Sequence, residues 1–396
     1  MKNISDVNFK NRTVLIRVDF NVPLNNNLSV ADNSRIIGAL DTIRHVIESG
    51  GKAIILSHLG RPNGEYRLSF SLINIVAELS KLLKHKVIFI ENYLEESAVK
   101  KITDSQPKSV FLLENMRFNR EEKLGCEKFA NSLARLGDWY VNDAFGTLHR
   151  DHASTSKIAS YFINKRCFGF LVEKELSALN NVLKGADHPF TAIIGGAKIS
   201  GKIDVIRSLY SIVDNLIIGG GMAYSFIKAL GGEVAKSLVE EEKLDLAKEL
   251  ITEAANKNVN LLLPVDSVNG SEFSNDCVVN KSEIVNIPKE FAGFDIGAKS
   301  IQMFCTTILR SKTIIWNGPM GVFEMSNFEN GTKKIGLAIA EATKNGAYSL
   351  VGGGDSVAAI KKFKLTDNVS YISTGGGAML EYLEGKKLPG ICAIED

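Results

Sequence analysis

The sequence predicts an α/β protein of two domains, each built on a parallel sheet with helices on both faces. Three observations lead to this prediction. The chain has 396 residues, which is more than a single hydrophobic core usually holds. Short β-branched runs recur along its whole length. Between these runs lie segments of helical spacing, and such alternation is typical of parallel sheets whose strands are connected by helices.

The candidate strands are short runs of β-branched and other apolar residues. They are 13–18, 52–56, 86–90, 110–113, 191–194, 216–218, 261–263, 313–316, 348–351 and 370–372. Between them, apolar residues three and four positions apart predict helices, for example in 36–47 and 328–343.

The composition excludes several classes of protein. Hydrophobic residues make up 45% of the chain and charged residues 23%, proportions typical of a globular protein and not of a disordered one. The net charge is only +2, so no overall basic field is available to bind nucleic acid. The polar segment 1–10 and the lack of any apolar run near ~18 residues predict no export signal and no membrane span. Five scattered cysteines fit a reducing cytoplasm and not a structural zinc site.

The two halves of the chain use different residues. Of 13 arginines, 11 lie at or before Arg166, and five of six histidines lie at or before His152, whereas 25 of 34 glycines fall from Gly185 onward. Arginines suit a small ligand with carboxylate or phosphate groups. Glycines after strands let backbone amides approach nucleotide phosphates. The helical segment 170–183, which stops at Gly185 and Pro189, predicts an inter-domain helix over 169–185 between domains 1–168 and 186–381.

Polar and basic residues follow several strands of the first half. Asp19 and Asn21 come directly after the first strand, where open α/β sheets bind ligands, although an Asx-turn would use the same residues. Arginines follow the strands at Arg61, Arg117 and Arg150, and Arg35 opens the first helix. A lone arginine is usually a solvated surface residue. Because parallel strands bring their carboxyl ends together, we expect these arginines to form one anion site. His58, His149 and His152 lack the spacing of a metal site.

The second half contains a basic glycine-rich segment, IIGGAKISGKI at 193–203. It resembles a P-loop over seven positions, but Ile203 stands where Ser or Thr would be required. Lys198 and Lys202 are four residues apart, which predicts that both lie on one face of a helix near its N-terminus. Like charges there favour a bound anion, the alternative being two exposed lysines.

Three runs of glycine follow strands at 219–221, 352–354 and 375–377, and each is predicted to begin a helix. Any one could serve close helix–strand packing. Together they suggest a polyphosphate over successive helix N-termini, with Asp355 placed to bind its magnesium. Asn317 and Glu324, in WNGPMGVFE, could bind ribose hydroxyls, or the segment could be a simple Gly-Pro turn.

Together these segments resemble the phosphoglycerate kinase family. Ten occur in that family's order: RVDFNVPL, SHLGRPNG, LLENMRF, HRDHAS, IIGGAKISGK, LIIGGGMA, FDIGAKS, WNGPMGVFE, GGGDS and STGGGAMLEYLEGKKLPG. The resemblance implies two doubly wound, Rossmann-like domains facing a cleft, with the final stretch 382–396 returning to the first domain. It implies transfer of a phosphoryl group between ATP and 3-phosphoglycerate, with 1,3-bisphosphoglycerate and ADP on the other side of the reversible glycolytic reaction. It also implies a Mg²⁺ cofactor and a cytoplasmic monomer.

The resemblance also assigns roles to individual residues. The positions that would hold the phosphoglycerate are Asp19, Asn21, Arg35, His58, Leu59, Gly60, Arg61, Arg117 and Arg150. Those that would line the nucleotide site are Lys202, Gly220, Gly293, Asn317, Glu324, Gly353, Gly354, Asp355 and Ser356, with Asp355 on magnesium. The residues that would face the transferring group are Arg35, Lys198, Gly375 and Gly376.

The departures from the family pattern are few. Asp151 stands where the family usually has Ala, Ser356 where it usually has Thr, and Met379 where Ser is common. Asp151 adds a negative charge next to Arg150, which predicts weaker phosphate binding. Two other classes share parts of the pattern. An anion-binding protein that closes on its ligand would need neither the two lysines nor Asp355, and a nicotinamide dehydrogenase would need the glycine fingerprint that is missing here.

Overall fold

The computed structural model describes residues 3–395 and divides the chain into two compact units. Unit 1 comprises the chain to Ser177 and from Lys387 onward, and unit 2 is Ala178–Lys386. The boundary falls inside the helix Phe170–Leu183, so the segment predicted to join the domains is a helix whose two ends belong to different units.

Unit 1 is built on one sheet of six parallel strands. These strands are β1 Thr13–Val18, β2 Lys52–Leu56, β3 Val87–Ile90, β4 Val110–Leu113, β5 Trp139–Asp143 and β6 Arg166–Phe168. Their order across the sheet is β3-β4-β2-β1-β5-β6. The first helices of the chain are α1 Ser34–Glu48, α2 Ile73–Leu83, α3 Glu96–Thr103, α4 Arg120–Lys123, α5 Glu127–Ala134 and α6 Phe170–Leu183.

The core of unit 1 follows from the apolar composition of its strands. Val14 to Val18 are all buried in β1, as expected for a central parallel strand with helices on both faces. On one face the cluster includes Val14, Ile16 and Val18 together with Ile36 and Ile43 of α1. Burial on both faces explains why these strands read as continuous apolar runs.

Unit 2 contains a second parallel sheet and a smaller antiparallel one. The helices of this unit are α7 Ile203–Leu209, α8 Met222–Ala229, α9 Leu244–Asn256, α10 Ala298–Arg310, α11 Asn330–Lys344, α12 Gly354–Lys362 and α13 Gly376–Leu383. The strands are β7 Phe190–Ile194, β8 Asn215–Ile218, β9 Asn260–Leu262, β10 Asp266–Gly270, β11 Val279–Glu283, β12 Ala292–Ile296, β13 Thr313–Asn317, β14 Tyr348–Val351 and β15 Tyr371–Ile372. The parallel sheet has the order β15-β14-β13-β7-β8-β9, and the antiparallel one β11-β10-β12. The last helix, α14 Pro389–Glu395, belongs to unit 1.

The predicted fold class, two Rossmann-like α/β domains, is confirmed by two six-stranded parallel sheets. The candidate strands did not include β5, β6 or the antiparallel sheet. The three antiparallel strands read DSVNG, VNKSE and AGFDI, and β11 alternates exposed and half-buried positions. Such polar strands lack the apolar run that marks a buried parallel strand.

Two further observations concern the whole described chain. Within residues 3–395, no helix is both long and apolar enough to cross a lipid bilayer. All five cysteines are free thiols.

Candidate functional site

The basic residues of unit 1 gather at the carboxyl edge of its sheet. Strands β4, β2, β1 and β5 are neighbours in that order and run parallel, so the segments that follow them meet. A pocket of about 200 Å³ lies there, lined by Arg61, Asn63, Arg117, Lys123, Arg150 and His152. Four of these six residues are cationic and none is a carboxylate. A pocket of this charge is suited to an anionic ligand.

The electrostatics of the pocket show that nearby carboxylates compensate its cations only in part. Burial, together with Arg150 and Arg17, lowers the pKa of Arg117 to about 10. Burial also lowers the pKa of Arg150, an effect that nearby Asp19 partly offsets. The Nε atom of Arg117 is buried and has no hydrogen-bond partner among the described residues. A bound phosphate would relieve the repulsion between the guanidinium groups.

Hydrogen bonds from residues distant in sequence fix the loop that follows β2. The Asn21 side-chain oxygen accepts from the Gly60 amide at 2.8 Å. The Gly60 carbonyl in turn accepts from the Arg117 guanidinium at 2.7 Å, and the Asn115 side chain donates to the Leu59 carbonyl at 2.7 Å. These contacts hold Arg117 in place before any ligand arrives, which reduces the entropy lost on binding.

Arg35 lies in the first turn of α1, as predicted, and is directed toward the end of β1. Its guanidinium donates to the Asn21 carbonyl at 2.7 Å and lies 3.4 Å from a carboxylate oxygen of Asp19. The structure therefore brings Asp19, Asn21 and Arg35 together. The Arg35 side chain stays partly exposed beside the Asp19 carboxylate, so the remaining donors of its guanidinium are available to a ligand.

The histidines of this region are held neutral. His58 is buried, and burial, followed by the charge of Arg17, lowers its pKa well below the ordinary value. An Arg17 nitrogen lies 3.2 Å from His58 Nδ1, so that ring nitrogen accepts and the other carries the proton. Burial lowers the pKa of His152 to about 4 and also lowers that of His149. At neutral pH these rings act as hydrogen-bonding groups and not as cations.

Arg17 was not among the predicted site residues. It lies within β1 and is completely buried, donating to the Ser154 hydroxyl at 2.9 Å. Ser154 donates onward to the buried Glu122 carboxylate at 2.6 Å. The sequence does place a charged residue inside an apolar strand. Because a buried charge requires partners, this pattern could have indicated that Arg17 takes part in a polar network.

In the structure, the carboxylate of Asp151 binds residues other than Arg150. The Asp151 carboxylate lies 2.7 Å from Lys157 Nζ and accepts from the Ser156 hydroxyl at 2.6 Å. These bonds, first that to Lys157, lower the pKa of Asp151. Its charge is therefore paired with a lysine outside the arginine pocket.

In unit 2, the predicted nucleotide residues line two adjoining hollows. One, of about 330 Å³, is lined by the glycine-rich segments and by Lys198, Lys202, Asn317, Asp355 and Ser356. The other, of about 540 Å³, is lined mainly by apolar groups and includes Gly220, Gly293 and Glu324. Gly196, Ala197 and Asp355 line both. A polar hollow continuous with an apolar one matches the two ends of a nucleotide, its phosphates and its base.

Two helix N-termini open into the polar hollow. Helix α12 begins at Gly354 and α13 at Gly376, and the first amides of a helix have no partner inside it. Gly353 has φ +95°, and a Cβ there would lie 2.7 Å from the Asn317 side-chain nitrogen, so only glycine is tolerated. Gly375 is the residue before α13 and donates its amide to the Ser373 hydroxyl at 3.3 Å. The pair of N-termini forms a positive site suited to phosphate.

The run 219–221 lies between the loop after β7 and helix α8. The Gly219 amide donates to Ile194, the Gly220 amide to Met320 and the Met222 amide to Gly196. The amides of Gly219 and Gly220 are therefore occupied by the fold, as are those of Gly352 and Gly375 in the other two runs. The run instead allows α8 to begin close against the loop after β7, and Gly220 still lines the apolar hollow.

The predicted helical face for Lys198 and Lys202 is wrong. Helix α7 begins at Ile203, so both lysines lie in the loop before it. The Glu240 carboxylate accepts from the amides of Ile199 and Ser200 and from the Ser200 hydroxyl. These bonds hold the loop outside the helical conformation.

Lys202 is the more constrained of the two lysines. Its ammonium group donates to the side-chain oxygen of Asn317 and lies 3.4 Å from the Asn317 carbonyl oxygen. Burial lowers the pKa of Lys202 to about 8, against a raising effect of Asp355. Both lysines line the polar hollow, so they converge on one site despite the absence of a common helix.

The remaining predicted residues serve the fold as well as the hollows. The buried Ser356 hydroxyl accepts from the Gly318 amide at 2.6 Å, and the side-chain amide of Asn317 donates to the Gly352 carbonyl at 3.0 Å. Gly293 lies so close to Tyr224 that a Cβ would be 2.1 Å from its hydroxyl oxygen. Met379 is buried with its sulfur against Gly352, which accounts for an apolar residue at that position.

The walls of the apolar hollow were not predicted from the sequence. They include Leu238, Phe273, Phe294 and Val322, and Phe273 is 69% exposed although large and apolar. An exposed aromatic beside a cavity is typical of a binding surface. Phe294 lies in β12 and Phe273 lies between β10 and β11, so the antiparallel sheet supplies part of this wall.

Comparisons with known proteins all point to one family. The family model described as "Phosphoglycerate kinase" matches residues 4–386. The chain belongs to the phosphoglycerate kinase family. It is 48% identical to the phosphoglycerate kinase of Porphyromonas gingivalis over 99% of both chains. It is 49% identical to that of Prosthecochloris aestuarii over 100% of this chain and 99% of the relative.

Solved structures agree with this assignment. The structure of phosphoglycerate kinase from Coxiella burnetii superposes with a TM-score of 0.89 at 42% identity, covering 98% of this chain and 97% of that one. The enzyme from Pyrococcus horikoshii gives a TM-score of 0.86 at 32% identity over 100% and 98%. Membership in this family makes the chain a kinase of glycolysis that acts on small molecules, including a nucleotide.

Proposed function

We propose that the chain transfers a phosphoryl group reversibly between 1,3-bisphosphoglycerate and Mg-ADP on one side and 3-phosphoglycerate and Mg-ATP on the other. The observation that carries this proposal is a complementary pair of sites. Unit 1 has a cationic pocket lined by no carboxylate. Unit 2 has helix N-termini in a polar hollow that continues into an apolar one.

In unit 1, the 3-phosphate occupies the pocket of Arg61, Arg117 and Arg150. Each guanidinium can donate two hydrogen bonds to one phosphate group. The glycerate part lies toward the end of β1, where its hydroxyl and carboxylate meet the remaining predicted residues. Those residues are Asp19, Asn21, Arg35, His58, Leu59 and Gly60.

In unit 2, the base occupies the apolar hollow and the phosphates the polar one. Gly293 and Gly220 give the base close access to backbone. The Glu324 carboxylate at the rim binds the ribose hydroxyls, and Lys202 with the amides of Gly353 and Gly354 binds the phosphates. Asn317 and Ser356 shape this hollow through their hydrogen bonds to Gly352 and Gly318.

Asp355 fits the role of magnesium ligand. It is exposed in the first turn of α12 and lines both hollows, and carboxylate oxygens together with phosphate oxygens are the usual ligands of Mg²⁺. Within residues 3–395, no three His, Cys, Asp or Glu side chains are grouped to hold a metal alone. Bound Mg²⁺ supplies charge neutralisation on the phosphates.

The chemical step needs no general base. The attacking group is a carboxylate whose pKa is about 3.5 to 4, so it is ionised at neutral pH. Its oxygen forms a bond to the γ-phosphorus while the bond from that phosphorus to the bridging oxygen of ADP breaks. The lowered pKa values of His58 and His152 agree with a hydrogen-bonding role for these rings.

Catalysis then depends on alignment and charge. Arg35 and Lys198 donate to the oxygens of the transferring group. The backbone amide of Gly376 offers a further donor at the start of α13, and Gly375, whose own amide donates to the Ser373 hydroxyl, precedes it. Preorganised donors of this kind stabilise the charge that develops in the transition state. Domain closure brings the two substrates into line and excludes water. We expect a monomer in the cytoplasm, where free thiols are stable.

The test is an assay of ATP-dependent phosphorylation of 3-phosphoglycerate, coupled to reduction of the acyl phosphate. Activity should require both substrates and Mg²⁺ and should disappear on chelation with EDTA. Arg117→Ala should lose activity at low phosphoglycerate, whereas Arg135→Ala, which removes an exposed arginine of the same unit, should not. Binding of both ligands with no acyl phosphate formed would indicate a binding protein and contradict the proposal.

A further inference from the structure

A buried carboxylate lies where the chain leaves unit 1. Asp143 is the last residue of β5 and is completely buried. One of its oxygens accepts from the amides of Leu171 and Val172 at 2.9 and 3.2 Å. These are first-turn amides of α6, the helix that continues into unit 2. Asp143 therefore caps the connecting helix from a neighbouring strand and not from the helix's own sequence.

A second contact ties the same point to α1. The Thr42 hydroxyl of α1 accepts from the Phe170 amide at 2.9 Å, and it also stabilises the carboxylate of Asp143. Helix α1 carries Arg35 in its first turn. One cluster, formed by Asp143, Thr42 and the first turn of α6, thus connects three elements: a strand of the sheet, the helix that bears Arg35, and the connecting helix.

The packing around this cluster leaves little freedom. A Cβ on Gly169 would lie 2.3 Å from the carboxyl carbon of Asp143, so the backbone before α6 presses directly on the carboxylate. In the sheet, Asp143 is paired with Val18, the residue before Asp19. A displacement of the carboxylate would therefore be transmitted to the sheet edge where the arginine pocket lies.

The capping arrangement is not fully satisfied. The second carboxylate oxygen of Asp143 is buried without a hydrogen-bond partner among the described residues. Burial raises the pKa of Asp143 to about 7, and the charge of Glu173 in α6 raises it further. The hydrogen bonds from Thr42, Val172 and Leu171 act in the opposite direction. A purely structural cap could be provided by a neutral side chain, as Thr42 does for Phe170.

We propose that Asp143 is a positioning residue for phosphoryl transfer: its ionised carboxylate, with Thr42, fixes the start of the connecting helix to the sheet edge and to the helix that carries Arg35. The inference rests on the proposed function, because it supposes that transfer depends on the alignment of two substrates held by different units. Small misplacements of reacting groups are costly in such reactions.

The test compares Asp143→Asn with wild type and with a matched control, Asp295→Asn. Asp295 is likewise buried, accepts from the first turn of α11 through the Gly331 amide at 2.7 Å, and has a pKa raised by burial to about 7. We expect Asp143→Asn to lower kcat roughly tenfold while the KM for each substrate changes by less than about threefold. The control should lose thermal stability with kcat nearly unchanged.

The pH dependence separates positioning from structure. Since the ionised form is required and the protonated form should behave like asparagine, the ratio of wild-type kcat to Asp143→Asn kcat should rise about fivefold between pH 6 and pH 8, following a group of pKa about 7. A ratio that stays constant with pH, or a kcat loss no larger than that of Asp295→Asn, would overturn the inference.

Two further variants keep the test decisive if Asp143→Asn fails to fold. Thr42→Ser retains the hydroxyl and should keep wild-type kcat, whereas Thr42→Val removes it and should reproduce the kcat loss. Equal kcat in both would overturn the inference. A wild-type protein without transfer activity at any pH would refute the proposed function instead, and an active wild type with unaffected variants would refute only the role of Asp143.

Discussion

Nucleotide affinity should depend on the ionisation of Lys202, and the structure sets the size of the effect. The ammonium group of Lys202 is held against Asn317 in a half-buried position, and burial lowers its pKa to about 8. A bound polyphosphate favours the charged form, so affinity is greatest below pH 8 and falls as pH rises through it. With a pKa of 8 in the free protein and a higher one in the complex, Kd should increase about tenfold between pH 7 and pH 9, or about 1.4 kcal/mol.

Isothermal titration calorimetry with Mg-ADP at pH 7, 8 and 9 measures this effect. Lys202→Arg keeps its charge throughout this range and should bind with a Kd that hardly changes with pH. Lys202→Ala should bind more weakly at pH 7 and should lose the steep dependence. Lys198→Ala is the matched control, because it removes a lysine from the same hollow but leaves Lys202 to titrate. An identical pH dependence in wild type and Lys202→Ala would show that the reasoning is wrong.

Three other predictions concern the remaining parts of the molecule. Arg117→Ala and Arg150→Ala should each weaken phosphoglycerate binding by roughly ten- to a hundredfold, the loss of about 1.5 to 3 kcal/mol for a charge-assisted contact, and calorimetry should find Mg-ADP binding unchanged; equal losses for both ligands would contradict the proposed sites. Lys198→Ala should lower kcat by roughly 10² to 10³ with little change in nucleotide Kd, and steady-state kinetics giving a near-normal kcat would exclude its role. Because burial raises the pKa of Asp295 from 3.8 to about 7, its stabilising contribution is complete below pH 4 and is lost as pH rises through 7. The free energy of unfolding of wild type, measured in urea relative to Asp295→Asn, should therefore fall by roughly 4 kcal/mol from pH 4 to pH 8, and a constant difference would show that the carboxyl is not destabilised by burial.

The parallel sheets could be predicted because their strands are buried on both faces. Runs such as 13–18 and 110–113 are apolar at nearly every position, and their bounds agree with β1 and β4. The antiparallel strand Val279–Glu283 pairs with Asp266–Gly270 but alternates exposed and half-buried side chains. The stability of this strand depends on pairing partners outside it, and its own sequence pattern does not indicate which residues those are.

The arginine pocket could be predicted for a related reason. Parallel strands place the residues that follow them at one edge, so Arg61, Arg117 and Arg150 needed only a strand assignment to be grouped together. The loop of Lys198 and Lys202 could not be predicted in this way. Its spacing fits a helix, but the distant Glu240 carboxylate binds the amides of Ile199 and Ser200 and so replaces the hydrogen bonds that a helix would have made.

The role of Asp151, like that of the lysine loop, depends on a contact that the local sequence does not reveal. From the sequence, its position next to Arg150 predicts competition with a bound phosphate. In the structure, Lys157 and Ser156 bind the carboxylate of Asp151. These bonds lower the pKa of Asp151, so its ionised form is favoured at this position. A carboxylate with a nearby lysine has a small net field at a distance, because the two charges form a dipole whose potential falls off faster than that of one charge. The effect of Asp151 on phosphate binding therefore depends on Lys157, six residues away. Its position next to Arg150 in the sequence does not by itself predict that effect.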